Sequence, residues 1–243
     1  MEQGKEICVL IPTYNNAGTI VDVVRRAVAQ SLPVIVVNDG CTDATAALLQ
    51  EAHLPVTVLT HPQNRGKGVA LKTGLTHALR AGFRYAVTLD ADGQHFPEDL
   101  PVFLEAIDRN PGALIVGSRD LQAENMPGGN SFANRFSNFW FHLQTGSKLP
   151  DTQTGFRAYP LASLPGLWLL TARYEAELAL LVFSAWRGVK LVPVPIRVCY
   201  PEDRVSSFRP FRDFFRISVL NTGLCLLALV YGYPRMLLER LRR

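Results

Sequence analysis

The chain has 243 residues and a formal net charge of +4 at pH 7; 48% of its residues are hydrophobic and 19% are charged. This composition excludes a disordered chain, and the length suffices for one large α/β domain or two small ones. The cysteines show no C-x-x-C pair and no metal spacing, and Cys8, Cys199 and Cys225 lie in apolar or strand-like runs, so we expect buried, reduced thiols. No signal peptide precedes the first predicted strand, so we expect a cytosolic chain.

Apolar runs alternate with helical patterns through the first hundred residues. Short apolar runs predict strands at 7–11, 34–37, 56–60 and 85–89. The segments between them predict helices at about 19–31, 43–52 and 68–81. This alternation is typical of a mostly parallel, Rossmann-like α/β sheet with helices on both faces.

Three of these strands end in polar, oxygen-rich turns, at 13–16, 38–43 and 90–94. Because parallel strands bring their carboxyl ends to one edge of the sheet, the turns predict a crevice for a nucleotide-type ligand. A dinucleotide fingerprint is not present, since the Gly66-Lys67-Gly68 segment lacks a third glycine at the required spacing.

The fourth strand runs directly into two carboxylates, Asp90 and Asp92. Residues i and i+2 of an extended backbone point to the same side, so both can face one divalent cation, with Gln94 next on that side. Oxygen ligands suit Mg²⁺, which commonly links a carboxylate to substrate phosphates. A glycine-containing turn rich in aspartate accounts for the same residues, and the motif alone does not separate the two interpretations.

The middle of the chain predicts a helix at about 97–109 and a strand at 113–117 that ends at Arg119. Arg119 either donates to a phosphate or pairs with Asp120. The rings of 132–143 have helical spacing, and we expect them to pack in the core. A helix at about 174–187 carries Glu175 and Glu177 in its first turn, either as caps or as acids near a reaction centre.

The last part of the chain contains a proline-interrupted run at 191–198, which predicts an edge strand. Arginines and phenylalanines then alternate from 204 to 216, which favours anionic lipid or a phosphate-bearing ligand over nucleic acid. The apolar run 217–233 is slightly shorter than the roughly 20 residues of a membrane span. We favour a membrane-embedded or interfacial anchor over a soluble core helix, and a single span stays open.

Six motifs together resemble, in order, those of family 2 glycosyltransferases with the GT-A fold, in the branch of dolichyl- and polyprenyl-phosphate sugar transferases. They are IPTYN at 11–15, VVNDGCTD at 36–43, NRGKG at 64–68, LDADGQH at 89–95, VGSR at 116–119 and DTQTGFR at 151–157. The resemblance covers about residues 7–200. It implies a catalytic domain at 1–200, followed by a membrane-associating segment at 201–243.

The resemblance implies an inverting transfer of a sugar from a nucleotide diphosphate sugar, with Mg²⁺ or Mn²⁺ neutralising the departing diphosphate. The implied nucleotide-sugar contacts are Pro12, Tyr14, Asn16, Asp39, Lys67, Asp90, Ala91 and Arg119. The implied metal ligands are Asp90, Asp92 and Gln94. The reaction centre would contain Asp92, Arg157 near the acceptor and Glu177 or Glu175 as base, and the acceptor phosphate would meet Arg204, Ser207 and Arg209.

The implied acceptor is a lipid or lipid phosphate at the cytoplasmic face of the membrane. A phosphate acceptor is already anionic and needs no base, whereas a hydroxyl of a glycolipid or polysaccharide needs one. A non-catalytic nucleotide-sugar-binding membrane protein is the alternative from another class. Asn16, Asn38 and Cys41 replace the residues usual in the family, so the resemblance does not identify the nucleoside or the sugar of the donor. Nothing in the sequence bears on the oligomeric state.

Overall fold

A seven-stranded sheet lies at the centre of the computed structural model, which describes residues 6–120, 128–164, 175–199 and 210–241. The strands are β1 (Ile7–Thr13), β2 (Val34–Asn38), β3 (Val56–Thr60), β4 (Tyr85–Thr88), β5 (Leu114–Ser118), β6 (Arg157–Pro160) and β7 (Leu191–Pro195). Their order across the sheet is β3-β2-β1-β4-β6-β5-β7. Only β6 runs antiparallel to its neighbours, which confirms the predicted, mostly parallel α/β sheet.

The helices follow the strands in the predicted alternation. They are α1 (Ile20–Val28), α2 (Thr45–Glu51), α3 (Lys67–Arg80), α4 (Leu100–Arg109), α5 (Gly128–Thr145), α6 (Glu175–Trp186), α7 (Pro210–Leu227) and α8 (Tyr233–Leu241). A short 3-10 helix at Pro97–Asp99 precedes α4, and a π-helical turn at Ala228–Gly232 joins α7 to α8. Helices α1 to α6 match or extend segments that the sequence predicts as helical, whereas α7 and α8 lie in the part of the chain that was predicted as a membrane-associating segment.

The sheet is covered on both faces, which explains the continuous apolar runs of its central strands. Along β1, Cys8 and Leu10 belong to one core cluster, and Val9 and Ile11 belong to the other. All four side chains are fully buried. On the first of these faces, Gly74 of α3 lies against Leu10, where a β-carbon would stand 2.2 Å from a Leu10 methyl.

Strand β6 is the one strand that the sequence does not predict, because its four residues contain an arginine and a proline and no apolar run. It inserts between β4 and β5, and its four residues are all buried. The prediction of a proline-interrupted edge strand is confirmed, since β7 lies at one end of the sheet and carries Pro193 and Pro195.

The predicted burial of the rings on α5 is wrong for the residues that face solvent. Phe139 is 59% exposed and Leu143 is also exposed, whereas Phe141 is fully buried. Among residues 133–145, whose side chains are described, the other buried side chains are polar: Asn134, Ser137, Gln144 and Thr145. Helical spacing alone therefore identified the helix and assigned its inward face incorrectly.

The predicted burial of the cysteines holds for one of them. All four thiols are free, and only Cys8 is buried, whereas Cys41 and Cys225 are half-buried and Cys199 is exposed. Burial raises the pKa of the Cys8 thiol to about 12. Cys199 lies beyond the end of β7 at Pro195 and is therefore outside the strands of the central sheet.

The C-terminal helices pack on α5 and α6, and a buried polar contact forms part of this packing. Gln144 of α5 donates from Nε2 to Asn221 Oδ1 of α7 at 2.9 Å, and Trp186 of α6 donates from its indole nitrogen to the Gln144 carbonyl at 2.8 Å. Gly232 lies against the same indole. Within the part of the chain that the structure describes, no helix combines the length and the apolar character needed to cross a membrane.

Candidate active site

The turns after β1 and β2 are joined at the carboxyl edge of the sheet by Asn15. Its side-chain oxygen accepts hydrogen bonds from the backbone nitrogens of Thr42 and Asp43, at 2.8 and 3.4 Å. The Asn15 backbone has a φ of 56°, a conformation that asparagine tolerates better than most residues. The Asn16 nitrogen donates to Thr45 Oγ1 of α2 at 2.9 Å. Sequence reasoning missed Asn15, although it lies inside the first motif.

The three predicted nucleoside contacts of the first turn have different environments. Pro12 is buried near the end of β1, whereas the Tyr14 ring is 43% exposed. Asn16 accepts hydrogen bonds at Oδ1 from Thr13 Oγ1 and from the Tyr14 nitrogen, at 3.1 and 3.3 Å. Asn16 therefore closes the turn, and the Tyr14 ring is exposed at its surface.

Asp39 uses both carboxylate oxygens to hold the loop before α3. Oδ1 accepts from the Arg65 nitrogen at 3.0 Å and Oδ2 from the Gly66 nitrogen at 2.8 Å. The buried ring of His61 lies between Asp39 and α3, with Nδ1 2.6 Å from Asp39 Oδ1 and Nε2 2.9 Å from Thr73 Oγ1. His61 is a further residue that the motifs did not indicate, because only its place after β3 distinguishes it.

Lys67, the first residue of α3, connects two carboxylates that the sequence assigns to different roles. Its ammonium lies 2.6 Å from Asp90 Oδ1 and 2.9 Å from Glu177 Oε2. Desolvation by itself lowers the pKa of Lys67, but the charges of Asp90 and Glu177 outweigh it and raise that pKa. Burial raises the pKa of Asp90, and the charge of Lys67 outweighs this and leaves it below its usual value.

The acidic motif combines features of a turn with features of a ligand site. Asp92 Oδ1 accepts from the Gln94 nitrogen at 3.0 Å, and Gly93 has a φ of 76°, as the turn interpretation expects. Asp92 is the more exposed of the two carboxylates. Partial desolvation and then the Asp90 charge raise the pKa of Asp92. His95 is buried with Nδ1 3.9 Å from Asp90 Oδ2, and this nitrogen has no hydrogen-bond partner.

Two neighbouring contacts fix the backbone around the acidic motif. Thr19 donates from Oγ1 to the Ala91 carbonyl at 2.6 Å. Thr88 donates to the Gly155 carbonyl at 2.6 Å, and Gly155 lies so close to Asp90 that a β-carbon would stand 2.4 Å from Oδ2. The motifs at 89–95 and 151–157 therefore adjoin, although the sequence separates them widely.

Arg119 pairs with Asp151, and this partner is neither of the two that the sequence suggests. Its Nε donates to Oδ2 at 2.6 Å and its Nη2 to Oδ1 at 3.0 Å, which is a bidentate pair. Asn134 also donates to Oδ1, at 2.6 Å. Burial of Asp151 raises its pKa, but the hydrogen bonds and charge of Arg119 outweigh it and leave that pKa low. The phosphate contact of Arg119 stays a prediction.

Arg157 lies behind the cluster and is completely buried. It donates from Nη1 to the Glu177 carbonyl at 2.6 Å and from Nη2 to the Thr152 carbonyl at 2.8 Å. These contacts join β6 to the first turn of α6. The geometry thus favours a positioning role for Arg157, holding Glu177, over the predicted contact near the acceptor.

The donor set at the acidic motif fits Mg²⁺ or Mn²⁺. Asp90, Asp92 and Gln94 offer carboxylate and amide oxygens, which suit these cations. Among the residues described here, no group of three or more histidine, cysteine, aspartate or glutamate side chains is arranged to hold a metal. The remaining ligands of a cation at Asp90 would therefore be diphosphate oxygens and water.

Four predicted site residues lie outside the described part of the chain or have undescribed side chains. Glu175 begins α6, and its side chain is not described. The predicted acceptor-phosphate contacts, Arg204, Ser207 and Arg209, fall in the gap before α7. Their roles stay predictions.

The mostly parallel sheet and its polar carboxyl edge agree with the GT-A fold of glycosyltransferases. The chain belongs to glycosyltransferase family 2, since the model of that family, described as glycosyl transferase family 2, matches residues 8–162. The family expected from the six motifs is therefore confirmed, and the chain is a glycosyltransferase.

Two relatives match most of the chain. It is 30% identical, over 90% of its length and 97% of the relative's, to UDP-N-acetylglucosamine–dolichyl-phosphate N-acetylglucosaminyltransferase of Methanococcus voltae. It is 35% identical, over 82% of its length and 79% of the relative's, to polyprenol monophosphomannose synthase of Mycolicibacterium smegmatis.

A solved structure supports the fold. Glucosyl-3-phosphoglycerate synthase from Mycobacterium tuberculosis, in complex with Mn²⁺, UDP-glucose and phosphoglyceric acid, superposes with a TM-score of 0.63. It is 18% identical, and the match covers 93% of this chain and 80% of the other. At this identity the likeness concerns the fold alone.

Proposed function

We propose that this glycosyltransferase moves a sugar, with inversion and with Mg²⁺ or Mn²⁺, from a nucleotide diphosphate sugar to a polyprenyl-phosphate lipid. The observation that carries the proposal is the Lys67 bridge between Asp90 and Glu177. It joins the predicted metal and donor position to the predicted acceptor position at the ligand-binding edge of the sheet. The names of two relatives, a dolichyl-phosphate N-acetylglucosaminyltransferase and a polyprenol monophosphomannose synthase, support the acceptor class.

The donor would lie across the turns after β1, β2 and β4. The exposed Tyr14 ring offers a stacking surface for the base, and Asp39 holds the loop that leads to Lys67. Asp90, Asp92 and Gln94 would hold the cation, which neutralises the charge that grows on the departing diphosphate. The side chains of this chain thereby orient the donor and place the reacting sugar beside Glu177.

The two acceptor classes make different demands on Glu177. A lipid phosphate attacks as an anion, so Glu177 need not remove a proton and Glu177→Gln should retain turnover to within about tenfold. The second candidate function is transfer to a hydroxyl, which is favoured by a buried Glu177 oxygen, Oε1, that has no hydrogen-bond partner. In that case Glu177→Gln should lower turnover by about a hundredfold or more, while nucleotide binding persists.

Association with the cytoplasmic face of a membrane is part of the proposal and is assigned to residues 201–243. The C-terminal helices expose large apolar side chains, and α5 adds two more beside them. They include Phe139, Leu143, Val219, Leu226, Leu229, Val230, Leu237 and Leu241. Such a surface suits a peripheral, interfacial position, in which residues 1–200 form the catalytic domain.

A thermal-shift screen of nucleotide sugars with and without Mn²⁺ tests the donor half of this proposal. A nucleotide sugar that binds the folded chain raises its melting temperature, and a shared metal site makes this increase depend on Mn²⁺. We expect Mn²⁺-dependent stabilisation by at least one donor, and its loss in Asp92→Asn. Stabilisation by no donor, or an equal effect in Asp92→Asn, would contradict the assigned site.

A further inference from the structure

The ammonium of Lys67 contacts Asp90 Oδ1 at 2.6 Å, and this carboxylate is also a predicted ligand of the divalent cation. We propose that Lys67 competes with the divalent cation for Asp90, and that it keeps the Glu177 carboxylate in place after the cation has taken over Asp90. The inference rests on the proposed function, because it takes Asp90 as a metal ligand. It makes Lys67 a positioning residue that links the donor end of the site to the acceptor end.

The backbone beneath Lys67 is held from the nucleoside side of the site. Gly66, the residue before it, has a φ of 94° and donates its nitrogen to Asp39 Oδ2 at 2.8 Å. Asp39 is itself held by His61. The start of α3 is therefore fixed, and only the four-carbon stem of the lysine is free to change conformation.

The two carboxylates that Lys67 contacts are less able to move. A β-carbon at Gly155 would overlap Asp90 Oδ2, so the 151–157 segment packs directly against that carboxylate. The Glu177 carbonyl accepts from the buried guanidinium of Arg157 at 2.6 Å, which fixes the start of α6. When a divalent cation binds Asp90, the like-charged ammonium is thus the group that shifts.

Glu177 explains why Lys67 does not simply leave the site. The Glu177 side chain is 9% exposed, and its ion pair with Lys67 is the one that the described residues give it. Its Oε1 has no hydrogen-bond partner, so a withdrawn Lys67 would leave a buried carboxylate without compensation. Retaining Glu177 as a partner allows Lys67 to release Asp90 and stay within the site.

Binding of Mn²⁺ alone, measured on the full chain by electron paramagnetic resonance without nucleotide, tests the competition. Lys67→Met removes the charge and keeps a similar length, and we expect it to bind Mn²⁺ about tenfold more tightly than the wild type. Lys67→Arg keeps the charge and should bind like the wild type. Lys72→Met, which removes a lysine elsewhere on α3, controls for net charge and should change the affinity little.

Three outcomes separate the possibilities. Tighter Mn²⁺ binding by Lys67→Met than by Lys72→Met supports the inference. Binding that is detected in Lys67→Met and in no other variant supports it as well. Equal or weaker binding overturns the role of Lys67, even if the donor screen described above succeeds. A failed donor screen is a separate result, because it removes the proposed function while the Mn²⁺ comparison still reports on Lys67. Lys67→Gln, which also lacks the charge, replaces Lys67→Met if that variant does not fold.

Discussion

Gly155 lies against Asp90 so closely that a β-carbon on residue 155 would stand 2.4 Å from Asp90 Oδ2. The two residues belong to motifs that are far apart in sequence, and their contact brings the two motifs together in one site. Any larger residue at this position must displace the carboxylate that is the predicted metal ligand.

Gly155→Ala should therefore lower turnover by about a hundredfold, because a displacement of about 1 Å at a reaction centre has an effect of that size. Steady-state kinetics at saturating Mn²⁺ measures the change. Gly223→Ala is the matched control, since a β-carbon at Gly223 meets nothing within 4 Å. It should leave turnover unchanged. Equal turnover in both variants would show that the close approach does not constrain Asp90.

Asp39→Ala should lower both the stability of the fold and the affinity for the donor. It leaves His61 without its partner and removes the acceptor of two loop nitrogens, those of Arg65 and Gly66. Unsatisfied buried groups of this kind cost about 1–3 kcal/mol each. Urea unfolding measures the loss. Asp22→Ala, at an exposed position on α1, should change the free energy of unfolding by less than about 0.5 kcal/mol, and a similar loss in both variants would contradict the role of Asp39.

The pair of Arg119 and Asp151 should make stability fall in acid. The pKa of Asp151 is low in the folded chain, so its contribution is complete above the unfolded value of about 3.9. The contribution is then lost as the pH falls through the folded pKa. In urea unfolding between pH 7 and pH 3, Asp151→Asn should show a shallower decrease than the wild type. Parallel pH profiles would show that Asp151 does not drive this dependence.

Replacing exposed apolar side chains of the C-terminal helices should weaken membrane binding without loss of stability. Leu229 and Val230 are 66% and 76% exposed. The double variant Leu229→Gln with Val230→Gln therefore makes the surface more polar and leaves the core unchanged. Sedimentation with vesicles that contain anionic lipid measures binding. Val58→Gln, on the edge strand β3, serves as the control. Unchanged sedimentation of the double variant would contradict the interfacial assignment.

The parallel core of the fold was predictable from sequence because each central strand is buried on both faces. Such strands appear as uninterrupted apolar runs, as 7–11 and 34–37 show. Strand β6 has no run of this kind, since its buried positions include Arg157, whose guanidinium donates to two backbone carbonyls. The inward face of α5 was also unpredictable, because several of its buried positions carry polar side chains, and some of these are held by hydrogen bonds.

The members of the site were predictable as motifs, whereas their partners were not. Lys67, Asp90 and Glu177 each stood out by local pattern, but no local pattern indicates that one ammonium contacts both carboxylates. Likewise, no local pattern indicates that Arg119 pairs with the distant Asp151. Such pairings depend on how the insertion of β6 brings the 151–157 segment beside β4 and β5.

The most direct test of the proposed function is transfer of a radiolabelled sugar to a short-chain polyprenyl phosphate by the purified full chain. With the donor found in the thermal-shift screen, we predict labelled lipid in the presence of Mn²⁺, loss of the product with EDTA, and loss in Asp92→Asn. The absence of labelled lipid with any stabilising donor would contradict the proposed acceptor, and transfer that persists undiminished in EDTA would contradict the metal dependence.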